Sequence, residues 1–142
     1  MSLISLVYVS FASHLLEDDE LKAILKTSRD NNPAKDVTGM LLYRDGFFIQ
    51  ALEGESDVVE PLYDKIKQDD RHKNVTLVYR TEIAKRTFPN WTMGFNRIEH
   101  IDLAKVEGYT PYLDKPFKPE AFVQNPSRAT VLLQAFKDRK YF

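Results

Sequence analysis

Asp45-Gly46 lies between two apolar runs, residues 37–43 and 47–52. Asp-Gly tolerates the positive φ angles of a tight hairpin turn, so the two runs are expected to pair as antiparallel neighbours. The second run is aromatic and aliphatic except for Gln50. An unpaired buried amide costs roughly 1–3 kcal/mol, so partners are required for both its carbonyl and its NH2 group. The run then passes through Glu53-Gly54-Glu55 into an amphipathic segment, about 57–68, with Val59, Leu62 and Ile66 on one side. That periodicity predicts a helix. Pro61 is awkward there, because proline fits only a first turn; the helix either starts near Val58 or has a distorted first turn.

The remaining segments complete a sheet with two helices. Residues 3–9 read as a first strand, with Ile4, Leu6, Tyr8 and Ser10 on one face and Leu3, Ser5, Val7 and Val9 on the other. A helix is expected over 18–30. Acidic residues crowd its start, Lys26 and Arg29 sit near its end, and Leu21, Ile24, Leu25 and Ser28 form its inward stripe. Asn31-Asn32-Pro33 is expected to stop it. Residues 75–83 and 91–98 read as fourth and fifth strands. The order β-α-β-β-α-β-β predicts an α+β fold, a ferredoxin-like sheet with two helices on one face.

From Glu99 the character changes, because Pro111, Pro116, Pro119 and Pro126 allow only short helices. A last helix is expected from Ser127, as N-cap, to about Lys140, with Val131, Leu132, Ala135 and Phe136 apolar. The chain therefore divides into a domain over 1–98 and a helical extension over 99–142.

Composition narrows the function classes. With 142 residues, 43% hydrophobic, the chain suits one domain with a modest extension. A net charge of −1 with scattered Lys and Arg argues against nucleic acid as a partner. There is no cysteine, hence no disulfide or thiolate chemistry. The apolar start alternates like a strand and lacks a basic n-region, and no run is long enough to cross a bilayer, so a cytoplasmic protein without a membrane partner is expected. His14, His72 and His100 are isolated, so no metal site is expected. The five glycines are dispersed, so a phosphate-cradling loop is absent and an acylphosphatase-like hydrolase is disfavoured. No second substrate site suggests a flavin oxidoreductase, and a non-enzyme is expected.

Tyr8 and Gln50 can meet beneath the helices if both strands are central. Taken singly, a Tyr–Gln core pair, an Asn-Asn helix end, or Trp91 and Met93 on a strand each suit ordinary packing. The combination is more specific. Tyr8-Val9-Ser10, Ser28-Arg29-Asp30-Asn31-Asn32, Val37-Thr38-Gly39-Met40-Leu41-Leu42-Tyr43, Phe48-Ile49-Gln50-Ala51-Leu52-Glu53-Gly54-Glu55, Asp69-Asp70-Arg71-His72 and Phe88-Pro89-Asn90-Trp91-Thr92-Met93 follow one another in order. Together they resemble the BLUF domain, a blue-light sensor that binds FAD non-covalently, over about residues 1–98.

The resemblance implies a photoactive group of Tyr8, Gln50, Trp91 and Met93. Tyr8 would be the electron and proton partner of the excited flavin, and Gln50 would bridge its hydroxyl to the N5/O4 edge of the ring. Asn32 would hold the O4/N3 edge and Asn31 the O2 side. Ile24 and Ile66 would flank the ring plane, with Ser28 nearby, and Arg71 and His72 would approach the outer part of the cofactor. Trp91 and Met93 would belong to the segment that rearranges near Gln50. Light-driven transfer from Tyr8 and recombination would leave an altered Gln50 hydrogen-bond arrangement and a red-shifted flavin. Output would pass through the fifth strand and the C-terminal helices to a separate signalling protein. On general grounds, independent of the resemblance, a homo-oligomer is expected. The alternative is a cofactor-free ferredoxin-like interaction module.

Overall fold

The hairpin forms as its turn residues require. The computed structural model describes residues 2–89, 93–97 and 118–135. Strands β2 (Thr38–Arg44) and β3 (Phe47–Glu55) pair antiparallel, Tyr43 opposite Phe48, with φ of 46° at Asp45 and 88° at Gly46. β1 (Leu3–Ala12) pairs with the free side of β3, and β4 (His72–Glu82) pairs with the far side of β1, both antiparallel. β5 (Gly94–Arg97) adds to β2 in parallel. The sheet order is β4-β1-β3-β2-β5. Helices α1 (Asp18–Lys35) and α2 (Ser56–Lys67) each join two strands that flank a third, the interleaved topology of a ferredoxin-like α+β fold.

Both faces of the sheet are covered. On one, Ile4, Leu6, Tyr8, Leu41, Tyr43, Phe48 and Leu52 pack with Leu21, Ile24 and Leu25 of α1 and Val59 and Tyr63 of α2. On the other, Val7, Val9, Met40, Leu42, Phe47, Ile49 and Ala51 pack with Phe122 of α3 (Pro119–Gln124) and Ala129, Leu132 and Leu133 of α4 (Pro126–Ala135). Burial on both sides is why the central strands read as near-continuous apolar runs. Gly39 is required on β2, because a Cβ there would fall 2.0 Å from the Ala51 carbonyl oxygen on β3.

Three helix boundaries depart from expectation. α1 does not stop at Asn31-Asn32-Pro33 but continues to Lys35. Pro33 removes only its own N–H from the ladder, and closure comes instead from Asp36, left-handed at φ 53°, whose N–H reaches the Asn32 and Pro33 carbonyls. α2 starts at Ser56 rather than near Val58, so Pro61 lies beyond the first turn. α4 starts at Pro126, so Ser127 is inside the helix and not its cap; proline supplies the preset φ favoured at a first helical position. Val131 is 41% exposed rather than a core contact, while Leu132 is buried. Trp91, Phe136 and the expected helix end near Lys140 lie outside the described residues.

Candidate functional site

Tyr8 and Gln50 are direct cross-strand partners on β1 and β3, and alternation turns both toward the helices. The register between β1 and β4 slips between Val7 and Tyr8 and again between Val9 and Phe11, so the ladder is irregular beside the phenol. The Tyr8 Oη donates a hydrogen bond to Gln50 Oε1. Gln50 Nε2 donates to Met93 Sδ at 3.3 Å. These two partners fix the amide's orientation. A thioether sulfur accepts and cannot donate, so the NH2 end must face Met93 and the carbonyl end must face the phenol. Tyr8 is fully buried, and burial, reinforced by Tyr63 and Asp69, drives its pKa above the ordinary phenol range. The proton therefore stays on Oη.

Beside this pair a cleft opens between α1 and α2. Ile24, Ser28, Asn31 and Asn32 line it from α1, Ile66 from α2, Gln50 from β3, and Arg71 and His72 from the segment after α2. Asn32 is buried and Asn31 exposed, so the two amides sit at different depths. All the cofactor residues expected from sequence thus meet at one place, with Tyr8 reaching the cleft through Gln50.

The segment from Asp69 to His72 is electrostatically organised. Arg71 forks onto Asp69, with Nη2 to Oδ2 at 2.6 Å and Nε at 3.1 Å from both carboxylate oxygens. That contact holds the Asp69 carboxyl below the usual range and raises the Arg71 guanidinium further. His72 is a half-buried wall of the Tyr8 site. Its Nδ1 lies 2.9 Å from Ser10 Oγ, and its ring packs against Phe48 and, edge-on, Tyr8. Burial pushes its pKa down to about 4; Asp69 opposes that shift and Arg71 adds to it.

Several site residues escaped sequence reasoning. Thr27, Lys35, Leu52, Leu62, Lys65 and Asp69 also line the cleft. Tyr63 packs its ring 5.5 Å from that of Tyr8, a contact foreshadowed by its position one turn after Val59. Arg29 Nε donates to the Met93 carbonyl at 3.0 Å, tying α1 to the residue that faces Gln50; nothing in the local pattern marks it.

Comparison with known proteins matches residues 3–94 to the model of the BLUF family, sensors of blue light using FAD. The chain belongs to the BLUF family. Its matched domain is therefore a blue-light sensor that works through a flavin. It is 39% identical over 93 residues to the photoactivated adenylate cyclase subunit beta of Euglena gracilis, a stretch that is 65% of this chain but 11% of that protein. A bacterial light-regulated adenylyl cyclase of known structure is 42% identical, with TM-score 0.66, over 68% of this chain and 28% of the cyclase. The BLUF chain is thus a small fraction of the length of the cyclases it resembles. Near full length, it matches BlsA in its photo-activated state (27% identity, TM-score 0.78, 99% of this chain and 98% of that one) and the BLUF protein BlrB in its dark state (25%, 0.74, 96% and 96%).

The cleft suits a flavin ring. Such a ring has two apolar faces and one polar edge, and Ile24, Ile66 and Leu52 supply hydrocarbon while Asn31, Asn32 and Gln50 supply amides that both donate and accept. Among the described residues, no helix is long and apolar enough to cross a membrane, and no group of side chains is arranged to hold a metal.

Proposed function

We propose that this chain senses blue light through FAD bound non-covalently between α1 and α2, with Tyr8 and Gln50 as its switch. The observation that carries the reading is the chain of contacts from Tyr8 Oη to Gln50 Oε1 and from Gln50 Nε2 to Met93 Sδ, at the edge of a cleft with flavin-like polarity. When bound, the flavin supplies blue-light absorption and a transient one-electron oxidant. Everything else is protein. Tyr8 holds its proton because burial opposes the phenolate, so loss of an electron from the ring must be accompanied by movement of that proton toward Gln50 Oε1. Return of the proton with the amide turned would leave the NH2 end facing Tyr8 and withdraw it from Met93. Asn31 and Asn32 fix the ring's edge, and Ile24 and Ile66 hold its plane and exclude water.

Support for FAD over a shorter flavin comes from the cleft's continuation. Lys35, Leu62 and Lys65 are shared with a second depression lined by Asp57, Val58 and Pro61, which offers room and two cations to a dinucleotide tail. Residues 1–98 act as the sensor. β5 and the extension over 99–142 carry the result to a separate partner protein in the cytoplasm, without catalysis by this chain.

Purified protein is expected to be yellow and to release FAD on denaturation. Blue light should shift its absorption slightly to the red, with reversal in darkness. Tyr8→Phe should retain the flavin and lose the shift. Colourless protein that takes up no added flavin, or a normal photocycle in Tyr8→Phe, would overturn the reading.

A further inference from the structure

Met93 reaches Gln50 from a segment whose anchorage lies on the other side of the sheet. Glu53 follows Gln50 along β3 and, by strand alternation, faces away from the helices. It is 1% exposed, and its carboxylate accepts two backbone N–H groups of the link between β4 and β5: Thr87 at 2.9 Å on Oε2 and Phe88 at 2.7 Å on Oε1. Arg86 completes the attachment. Its Nη1 donates to Thr38 Oγ1 and to the Glu53 carbonyl, both at 2.9 Å, and its Nη2 to the Asp36 carbonyl at 2.7 Å. The Phe88 ring then enters the core that contains Phe122, Ala129, Leu132 and Leu133 of α3 and α4. The link between β4 and β5 therefore places Met93 beside Gln50, Phe88 in the same buried cluster as α3 and α4, and the amides of Thr87 and Phe88 on Glu53.

We propose that Glu53 is a positioning residue for signal output: its carboxylate is the fixed point about which a displacement of Met93 is passed to Phe88 and on to α3 and α4. A buried carboxylate holding two adjacent amide hydrogens resists sliding of the link, because moving either hydrogen off strands an acceptor away from water. With that point held, motion at Met93 reaches Phe88 as rotation; with it loosened, the link absorbs the motion locally. The proposal rests on the light-sensing role of Gln50 argued above.

The test is Glu53→Gln in the full chain, followed by residue-resolved amide exchange in darkness and under blue light. A glutamine keeps the volume but presents only one acceptor, so one of the two amides loses its partner. Flavin content and the light-induced absorption shift are expected to equal wild type, because Tyr8, Gln50 and the cleft are untouched. Exchange at Thr87 and Phe88 in darkness should rise by at least about tenfold, and the light-induced change in exchange over 119–135 should fall to about half or less. Wild-type protection at Thr87 and Phe88, or a full light response over 119–135 once they are freed, would overturn the proposal. Should the variant fail to fold, Arg86→Met, which removes all three donated hydrogen bonds to Thr38, Glu53 and Asp36, must show the same pair of effects. A wild-type chain that binds no flavin would sink the sensing role instead, and the dark exchange at Thr87 and Phe88 would still decide whether the clamp exists.

Discussion

Met93 determines which way the Gln50 amide faces, since its sulfur accepts from Nε2 and leaves Oε1 for the phenol. Gln50→Leu should therefore have two effects. The light-induced shift should vanish, and urea unfolding of the dark protein should show a loss of about 1–3 kcal/mol, because the fully buried Tyr8 hydroxyl is left without its acceptor. His72 gives a pH dependence of defined sign. Its folded pKa of about 4 lies below the ordinary 6.5, so the unfolded chain takes up the proton first. Its contribution is complete above about pH 6.5 and is lost as pH falls toward about 4, a range worth up to about 3 kcal/mol. Melting temperatures measured from pH 7 to pH 4.5 should fall, and His72→Gln should flatten the slope.

β2 and β3 carry both the site and the constraint on its shape. In Gly39→Ala the new methyl would meet the Ala51 carbonyl at 2.0 Å and Met93 Cε at 3.4 Å, so the strands must part beside the switch. Chemical denaturation should register a loss of at least about 2 kcal/mol. What was legible in the sequence follows from such local rules. Asp45-Gly46 dictates a hairpin, alternation puts Tyr8 and Gln50 on one face, and the Leu21, Ile24, Leu25 stripe orients α1. Helix ends were less legible. Proline was read as a terminator at Pro33 and as a first-turn residue at Pro61, whereas tertiary packing carries both helices through, and the left-handed Asp36 closes α1 by a backbone pattern that its side chain does not advertise. The Arg29–Met93 contact and the Glu53 clamp were illegible for one reason. Each joins polar groups whose partner is set by topology rather than by spacing.

At the scale of the whole molecule, one sheet separates two layers, α1 and α2 with the cleft between them on one face and a cover made by α3 and α4 on the other. Phe122 is fully buried, with its ring stacked on Phe47 at 6.0 Å, and Tyr79 Oη lies 2.8 Å from Thr130 Oγ1, so the cover is tied to β3 and β4. Phe122→Ala should cost about 3–5 kcal/mol and raise amide exchange over 119–135 while leaving the dark flavin spectrum intact. The link between the layers is β3, which presents Gln50 to one side and Glu53 to the other. Light-minus-dark infrared spectroscopy with side-chain-labelled glutamine tests most directly whether the Gln50 amide is what light alters. A reversible shift of a labelled amide band that disappears in both Gln50→Leu and Tyr8→Phe is the result expected here. An unlabelled-like difference spectrum, or a labelled band that survives in Gln50→Leu, would contradict the account.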